Sequence, residues 1–329
     1  MERIAIIGMG ISGMGILAAY EKVVDTSKLK IDCYDSKDIF GRGYPFAEDA
    51  EELILNLKTN KISYDYRNLK DLGEWYEENN LVKPEYPSRN TFGKYMRSRL
   101  DETLKKTNAN VIHQKVLRID KLPDGWEVED QSGNISVYDR IHLCNGVLSQ
   151  KGLYNLEKSN KYINYVYPVK EKLNSINSED RVLVIGAGLT AIDIATFLLK
   201  KNDVVNITMF SRANIMPTVR AKQAKVKMKY LNMTILKNIL KENYDRISFE
   251  EFDELFLKEL SGQGINYKDF LQTHMQGGVE GLLYNIDNPH DLGIVQTLLP
   301  YMNLVFNKVW DSMTLSDRKK FKEKYHLFM

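Results

Sequence analysis

Three glycines, Gly8-Met-Gly10-Ile-Ser-Gly13, follow the apolar run Ile4-Ala-Ile-Ile and open an apolar-periodic stretch that reaches Val24. A second apolar run, Ile31 to Tyr34, ends at Asp35. Strand, glycine turn, helix, and an acid closing the next strand about 20 residues beyond the loop form the arrangement that holds a dinucleotide. Gly8 permits the tight turn, Gly10 lets backbone approach a pyrophosphate, and Gly13 lets helix and strand pack closely. The pyrophosphate then lies at the helix start, at Ile11 and Ser12, where free N–H groups and the dipole favour negative charge. Asp35, with Ser36 beside it, accepts hydrogen bonds from the ribose hydroxyls of an adenosine. The alternative is a tight turn with no ligand. The matching strand, helix and acid favour the nucleotide reading.

The same pattern returns later in the chain. Val182-Leu-Val-Ile leads into Gly186-Ala-Gly188-Leu189-Thr190-Ala191 and a stretch to Leu199, followed by Ile207 to Phe210. This second strand runs into Ser211-Arg212 rather than an acid. An acid would repel a 2′-phosphate, whereas a guanidinium binds it bidentately, so the second loop favours NADP over NAD. The alternative is that Arg212 is a solvated surface arginine. Two nucleotide sites in one chain imply two nucleotides, and the economical chemistry is hydride transfer from a nicotinamide to a flavin.

The elements that must position these loops follow from the pattern. Each loop sits in a βαβ start, so the expected fold is α/β with two dinucleotide-binding, Rossmann-type domains. Between them Ala109 to Asn145 alternates apolar and polar residues, with turns at Asp124-Gly125 and Ser132-Gly133, and reads as a small antiparallel meander. Residues 155–180 are polar and contain Pro168, as a connection would. From about residue 221 the chain reads as helical to its end, with a capping box at Ser248-Phe-Glu-Glu251 and Ser316 as a cap for the last helix. Gly277-Gly278 and Asn288-Pro289 break that run, and Lys222 to Lys229 reads as a solvated helix face.

Composition narrows the class. The 329 residues are 43% hydrophobic and 27% charged, which excludes a disordered or disulfide-stapled chain. With 46 basic and 44 acidic residues, the net charge of +2 gives no electrostatic argument for nucleic acid. Cys33 and Cys144 have no CxxC spacing, and the five histidines have no metal-ligand spacing. Ile4 to Tyr20 carries no charge, but its glycines and short length argue against a signal peptide or membrane span. A cytoplasmic setting is expected.

Further motifs give a family resemblance. Phe40-Gly41-Arg42-Gly43-Tyr44-Pro45-Phe46, Leu55-Asn56-Leu57, Tyr86-Pro87-Ser88-Arg89 with Phe92-Gly93-Lys94-Tyr95, Leu143-Cys144-Asn145-Gly146, Gly188-Leu-Thr-Ala-Ile-Asp193 and Ser211-Arg212 with Met216-Pro217 all contribute. Together the chain resembles flavoproteins with paired FAD- and NAD(P)-binding domains, near the flavin-dependent monooxygenases and the N-hydroxylating ornithine/lysine monooxygenases. The resemblance implies an FAD-binding domain over 1–150, a connector over 151–180, the start of an NAD(P)-binding domain over 181–220, and a helical insertion or extension over 221–329. It implies FAD and NADP as cofactors, with Arg42, Gly43, Asn145 and Gly146 near the FAD. Asn56 and Arg89 face the flavin or substrate on this reading; a loop cap and a helix anchor are their alternatives. The implied activity is an NADPH-using, monooxygenase-like oxidoreductase acting on a small molecule, an amine or amino acid, with no nucleic-acid or membrane partner. Cys-Asn-Gly replaces the family's usual ATG turn, and family members normally continue past Leu327-Phe328-Met329. A truncated, split or degenerate member is therefore expected, one that binds FAD but is reduced slowly by NADPH, with an oligomeric or complementing partner. The alternative is a non-catalytic nucleotide- or partner-binding module.

Overall fold

The computed structural model describes residues 1–146, 152, 155–156, 158–201, 203–204, 206–212 and 214–325. Two compact units divide it. One comprises Met1–Val182 with Ile192–Ile207, and the other Leu183–Ala191 with Thr208–Met329.

The first unit is built on strand β1 (Glu2–Ile7), followed by helix α1 (Ile11–Val23) and strand β2 (Leu29–Tyr34). Helices α2 (Asp71–Glu78) and α3 (Arg89–Thr107) come next. Strands β3 (Asn110–Ile112), β4 (Val116–Leu122), β5 (Gly125–Asp130), β6 (Ile135–Tyr138) and β7 (Arg140–Leu143) then run in succession. Four of these strands form a parallel sheet in the order β3-β2-β1-β7, and β4-β5-β6 form an antiparallel meander.

Strand β1 is apolar and buried from Ile4 to Ile7 because both of its faces are covered there. Ile4 and Ile6 face Met14 and Leu17 of α1 and Tyr95, Met96 and Leu100 of α3. Ala5 and Ile7 face the opposite way, with Tyr34 of β2 and with Val128 and Tyr138 of the meander. The meander is fastened by polar bonds as well: the Tyr138 hydroxyl donates to Asp32 Oδ2 at 2.9 Å and lies 2.7 Å from the Tyr34 hydroxyl.

The expected meander over Ala109 to Asn145 is shorter than its alternation suggested. Its first and last segments, β3 and β7, join the parallel sheet, where Asp32 pairs with Asn110 and Ile4 with Arg140. The polar connection also gains a short helix, α4 (Val169–Lys172), because Val169 and Leu173 are buried.

The second glycine loop lies between strand β8 (Val182–Ile185) and helix α5 (Leu189–Lys201), and strand β9 (Ile207–Phe210) completes a two-stranded sheet. The Val182 N–H bonds the Asn206 carbonyl and the Gly186 N–H bonds the Phe210 carbonyl, so both strands advance in the same direction.

Helices α6 (Met233–Glu242), α7 (Phe249–Gly262), α8 (Tyr267–His274), α9 (Gly278–Asp287), α10 (Pro289–Ser312) and α11 (Leu315–Tyr325) form the rest of the second unit. Their core is aromatic and aliphatic, centred on Phe252, Phe256, Leu298 and Phe321. The Ser248 capping box forms as expected, with Glu251 answering the Ser248 N–H. The last helix is capped by Thr314, whose hydroxyl accepts from the Asp317 N–H, and not by Ser316.

The helical reading from residue 221, including a helix face over Lys222 to Lys229, is corrected: residues 221–232 form no helix, and the first helix of this region starts at Met233. Distant side chains take the backbone groups a helix would need. Ala221 and Ala224 donate to Gln296 Oε1 and Thr297 Oγ1, and Lys229, Tyr230 and Leu231 donate to the fully buried carboxylate of Glu259. Burial alone would raise the Glu259 carboxyl, but the N–H groups around it prevail and hold it below its ordinary value. Replacing Glu259 by Ala strands several buried donors and should cost about 3 kcal/mol in denaturant unfolding. Because the folded carboxyl titrates lower than the unfolded one, its stabilisation is present above the ordinary glutamate range and lost as pH falls through the lowered value. Comparing wild type with Glu259→Ala across that range checks both statements. The gap between them should shrink as the solution is acidified.

Candidate dinucleotide site

The carboxyl ends of β1, β2 and β7 meet at one edge of the parallel sheet. Strand order reverses between β1 and β7, and the crevice outside such a switch point is where open α/β sheets bind ligands. Gly8 leaves β1 here with φ +94°, a conformation that side chains rarely adopt. A Cβ on Gly8 would lie 2.2 Å from the Cys144 carbonyl oxygen, so the turn after β1 runs directly against the turn after β7. Bonds from the Gly8 N–H to the Tyr34 carbonyl and from the Cys144 N–H to the Ile7 carbonyl fix this crossing. A Cβ on Gly13 would sit 2.1 Å from the Gly8 carbonyl oxygen, which is how closely α1 lies under its loop.

Helix α1 starts at Ile11 from Gly10, with no side-chain cap and no acid in its first turn. Its first N–H groups, at Ile11, Ser12 and Gly13, have no partner further back in the helix. Gly43 faces them: a Cβ on Gly10 would be 3.5 Å from the Gly43 Cα, and one on Gly43 would be 3.3 Å from the Gly10 Cα. The two glycines thus bring the backbone at Gly43 close against the helix start. Asp35 borders it. Its Oδ2 accepts from the Met9 N–H at 2.7 Å and its Oδ1 from the Ser36 N–H at 2.8 Å. Burial raises the Asp35 carboxyl above its ordinary value, against the lowering pull of those two N–H groups.

The structure thus gathers Gly8, Gly10, Ile11, Ser12, Gly13, Asp35, Ser36 and Gly43 at one sheet edge. Asn145 and Gly146 follow Cys144 at that edge. Arg42 turns back instead, donating through Nε and Nη2 to the Asp38 carbonyl at 3.0 and 2.9 Å. Asn56 is exposed, beside the bridge between Ile54 and Ser88. Arg89 begins α3 behind the Ser88 cap, and its guanidinium meets Asp193 Oδ2 at 2.7 Å. The second loop belongs to the other unit. Gly186 has φ +126°, and neither Gly186 nor Gly188 would press an added Cβ against any atom within 4 Å. Helix α5 starts at Leu189 and Thr190 without an acid in its first turn. Arg212 is exposed, and the neighbouring Ser211 Oγ is buried without a hydrogen-bond partner.

Sequence spacing missed the bonds of Asp193 to Arg89 and Tyr167 and of Asp49 to the backbone at 169 and 170, since the partners come from distant segments. The signal at Gly93 was present: a Cβ there would strike the Phe46 carbonyl oxygen at 2.0 Å, so this glycine seats α3 against the segment after Gly43.

The FAD-NAD(P)-binding family model matches residues 5–148. This segment is similar to FAD-NAD(P)-binding domains. No curated protein matches the chain. Among solved structures, cyclohexanone monooxygenase from Rhodococcus sp. Phi1 bound to NADP+ is 18% identical with a TM-score of 0.47, over 74% of this chain and 43% of that one. A flavin-containing monooxygenase from Stenotrophomonas maltophilia is 15% identical with a TM-score of 0.40, over 68% and 61%. Tmm from Pelagibacter sp. strain HTCC7211 is 15% identical with a TM-score of 0.42, over 63% and 50%. The chain therefore spans between 43% and 61% of the length of these three. Among the described residues no helix is long and apolar enough to cross a membrane, and no group of three or more His, Cys, Asp or Glu side chains could hold a metal ion. Cys33 and Cys144 are free thiols; burial first, and Asp32 second, push the Cys33 thiol up to about 12.

Asp35→Ala removes a charged acceptor and also frees the Met9 N–H. It should weaken FAD binding by about ten- to a hundredfold, the equivalent of roughly 1.5–3 kcal/mol for a charged hydrogen bond. Calorimetric titration of both proteins with FAD measures this. A change of less than threefold would remove Asp35 from the site.

Proposed function

We propose that the chain is an FAD-dependent, NADPH-using oxidoreductase of the monooxygenase-like kind. The observation that carries this reading is the pair of glycine-loop helix starts in one chain, one bordered by Asp35 and the other by Ser211 and Arg212. The flavin supplies hydride acceptance and oxygen activation. The backbone around Gly10 and Gly43 receives the pyrophosphate of FAD, and Asp35 takes its adenosine ribose. Leu189 and Thr190 offer N–H groups to the nicotinamide dinucleotide, with Ser211 and Arg212 for its 2′-phosphate.

The substrate is a small molecule, an amine or amino acid. Tyr44, Glu48, Leu53, Arg89, Tyr165 and Tyr167 line a cavity in the first unit, just past Gly43 in sequence. Tyrosine faces and the Glu48 carboxylate suit an ammonium group. The Arg89 charge is answered by Asp193, so it does not oppose one.

Anaerobic stopped-flow reduction of the FAD-loaded protein tests the proposal. NADPH should reduce the flavin and outpace NADH. Arg212→Ala should cut that preference by about fivefold, the scale of an exposed ion pair. A flavin that neither nucleotide reduces would sink the oxidoreductase reading and leave a non-catalytic binding module. An unchanged preference in Arg212→Ala would take Arg212 out of the site.

A further inference from the structure

Helix α8 ends at His274, which is 6% exposed and lines an open cavity of about 930 Å³. Every residue lining this cavity belongs to the second unit. The imidazole is held in one orientation. Phe270 stacks on it with centres 4.7 Å apart, and Tyr284 meets it at 74° with centres 5.2 Å apart. Its Nδ1 lies 2.7 Å from Asn285 Oδ1. Asn285 Nδ2 donates to the His274 carbonyl at 3.0 Å, so Asn285 Oδ1 must be the acceptor and His274 Nδ1 carries the proton. Nε2 of the neutral ring is then a bare acceptor. It has no partner among the described residues and is not sealed from solvent, so whatever it accepts from enters through the cavity.

The charges around this acceptor have both signs. Lys222 and Lys225 come from the irregular segment before α6, and Asp287 is the last residue of α9. They do not pair with one another, and none of the three side chains has a hydrogen-bond or ion-pair partner among the described residues. A carboxylate in the last turn of a helix opposes the helix dipole, and α9 has no basic residue there to offset it. Asp287 thus carries a charge that its own helix disfavours. Two residues on, α10 begins with the opposite polarity. The Asn288 side chain turns back to donate to the Tyr284 carbonyl and leaves the start of α10 without a side-chain cap. Asp291, the other acid of the cavity, is engaged with His290 Nδ1 at 2.9 Å. We propose that this cavity binds a small zwitterion of the amino-acid type. Asp287 takes its ammonium group, Lys222 and Lys225 with the start of α10 take its carboxylate, and His274 Nε2 accepts an O–H or N–H from its side chain. A ligand of single charge would answer one set of these groups and meet its own sign in the other. The site needs no flavin and does not rest on the oxidoreductase reading.

The test titrates the full chain calorimetrically with each protein amino acid at millimolar concentration. The tightest binder is then compared with its decarboxylated and deaminated counterparts, each of which should bind at least tenfold more weakly. Asp287→Asn, and the double variant Lys222→Ala with Lys225→Ala, should each weaken the amino acid at least fivefold. Asp287→Asn should do so without lowering the melting temperature, since the lost charge opposed its helix. His274→Asn keeps an amide donor for Asn285 and removes Nε2, and should also weaken binding at least fivefold. His274→Gln, which returns an acceptor to the far end of the side chain, should recover part of that loss. If His274→Asn fails to fold, the charge variants decide. No binding of any amino acid overturns the proposal. So does a counterpart of single charge that binds as tightly, which would assign the cavity to a cation or an anion. Binding that is unchanged in any of the weakening variants overturns it too, and puts the amino acid elsewhere in the chain, where the substrate reading above allows it.

Discussion

The backbone of Gly8 against the carbonyl of Cys144 is the contact on which the first unit depends. It forces the chain leaving β1 through a left-handed turn and brings the end of β7 beside it. With that crossing fixed, the start of α1 points its unpaired N–H groups at the switch point of the sheet. Gly13 then admits the helix beneath the loop, and Gly43 approaches from the other side. A side chain at Gly8 or Gly13 would displace backbone, which cannot yield as a flexible side chain can.

A second theme is the use of single carboxylates to hold irregular segments and the start of a short helix. Glu259 gathers the backbone N–H groups of residues 229–231, Asp49 those of 169 and 170, and Asp193 the Tyr167 hydroxyl. In each case the carboxylate lies on a different part of the chain from the donors. Charge-assisted bonds of this kind are stronger than neutral ones, so one side chain can replace a stretch of helix or sheet as the organising element.

This division explains what could be read from the sequence. The loop around Gly8, Gly10 and Gly13, the acid at Asp35 and the Ser248 cap were legible because their determinants lie within a few residues or one βαβ unit. The ends of the meander were not, since the same alternating residues suit either sheet, and the partner strand decides: β2 takes Asn110 to Ile112, and β1 takes Arg140 to Leu143. Residues 221–230 read as helix because their apolar spacing allows one. The structure spends their N–H groups on Glu259, Gln296 and Thr297, which no local pattern signals. Arg89 was legible as a special residue but not as the partner of Asp193.

The most direct measurement for the account as a whole is a comparative titration of the purified chain with FAD and FMN. FMN lacks the adenosine half that the proposed function assigns to Asp35 and the loop at the start of α1. The account predicts stoichiometric FAD binding that raises the melting temperature, with FMN binding at least a hundredfold more weakly. FMN binding as tightly as FAD, or no binding of either, would contradict it.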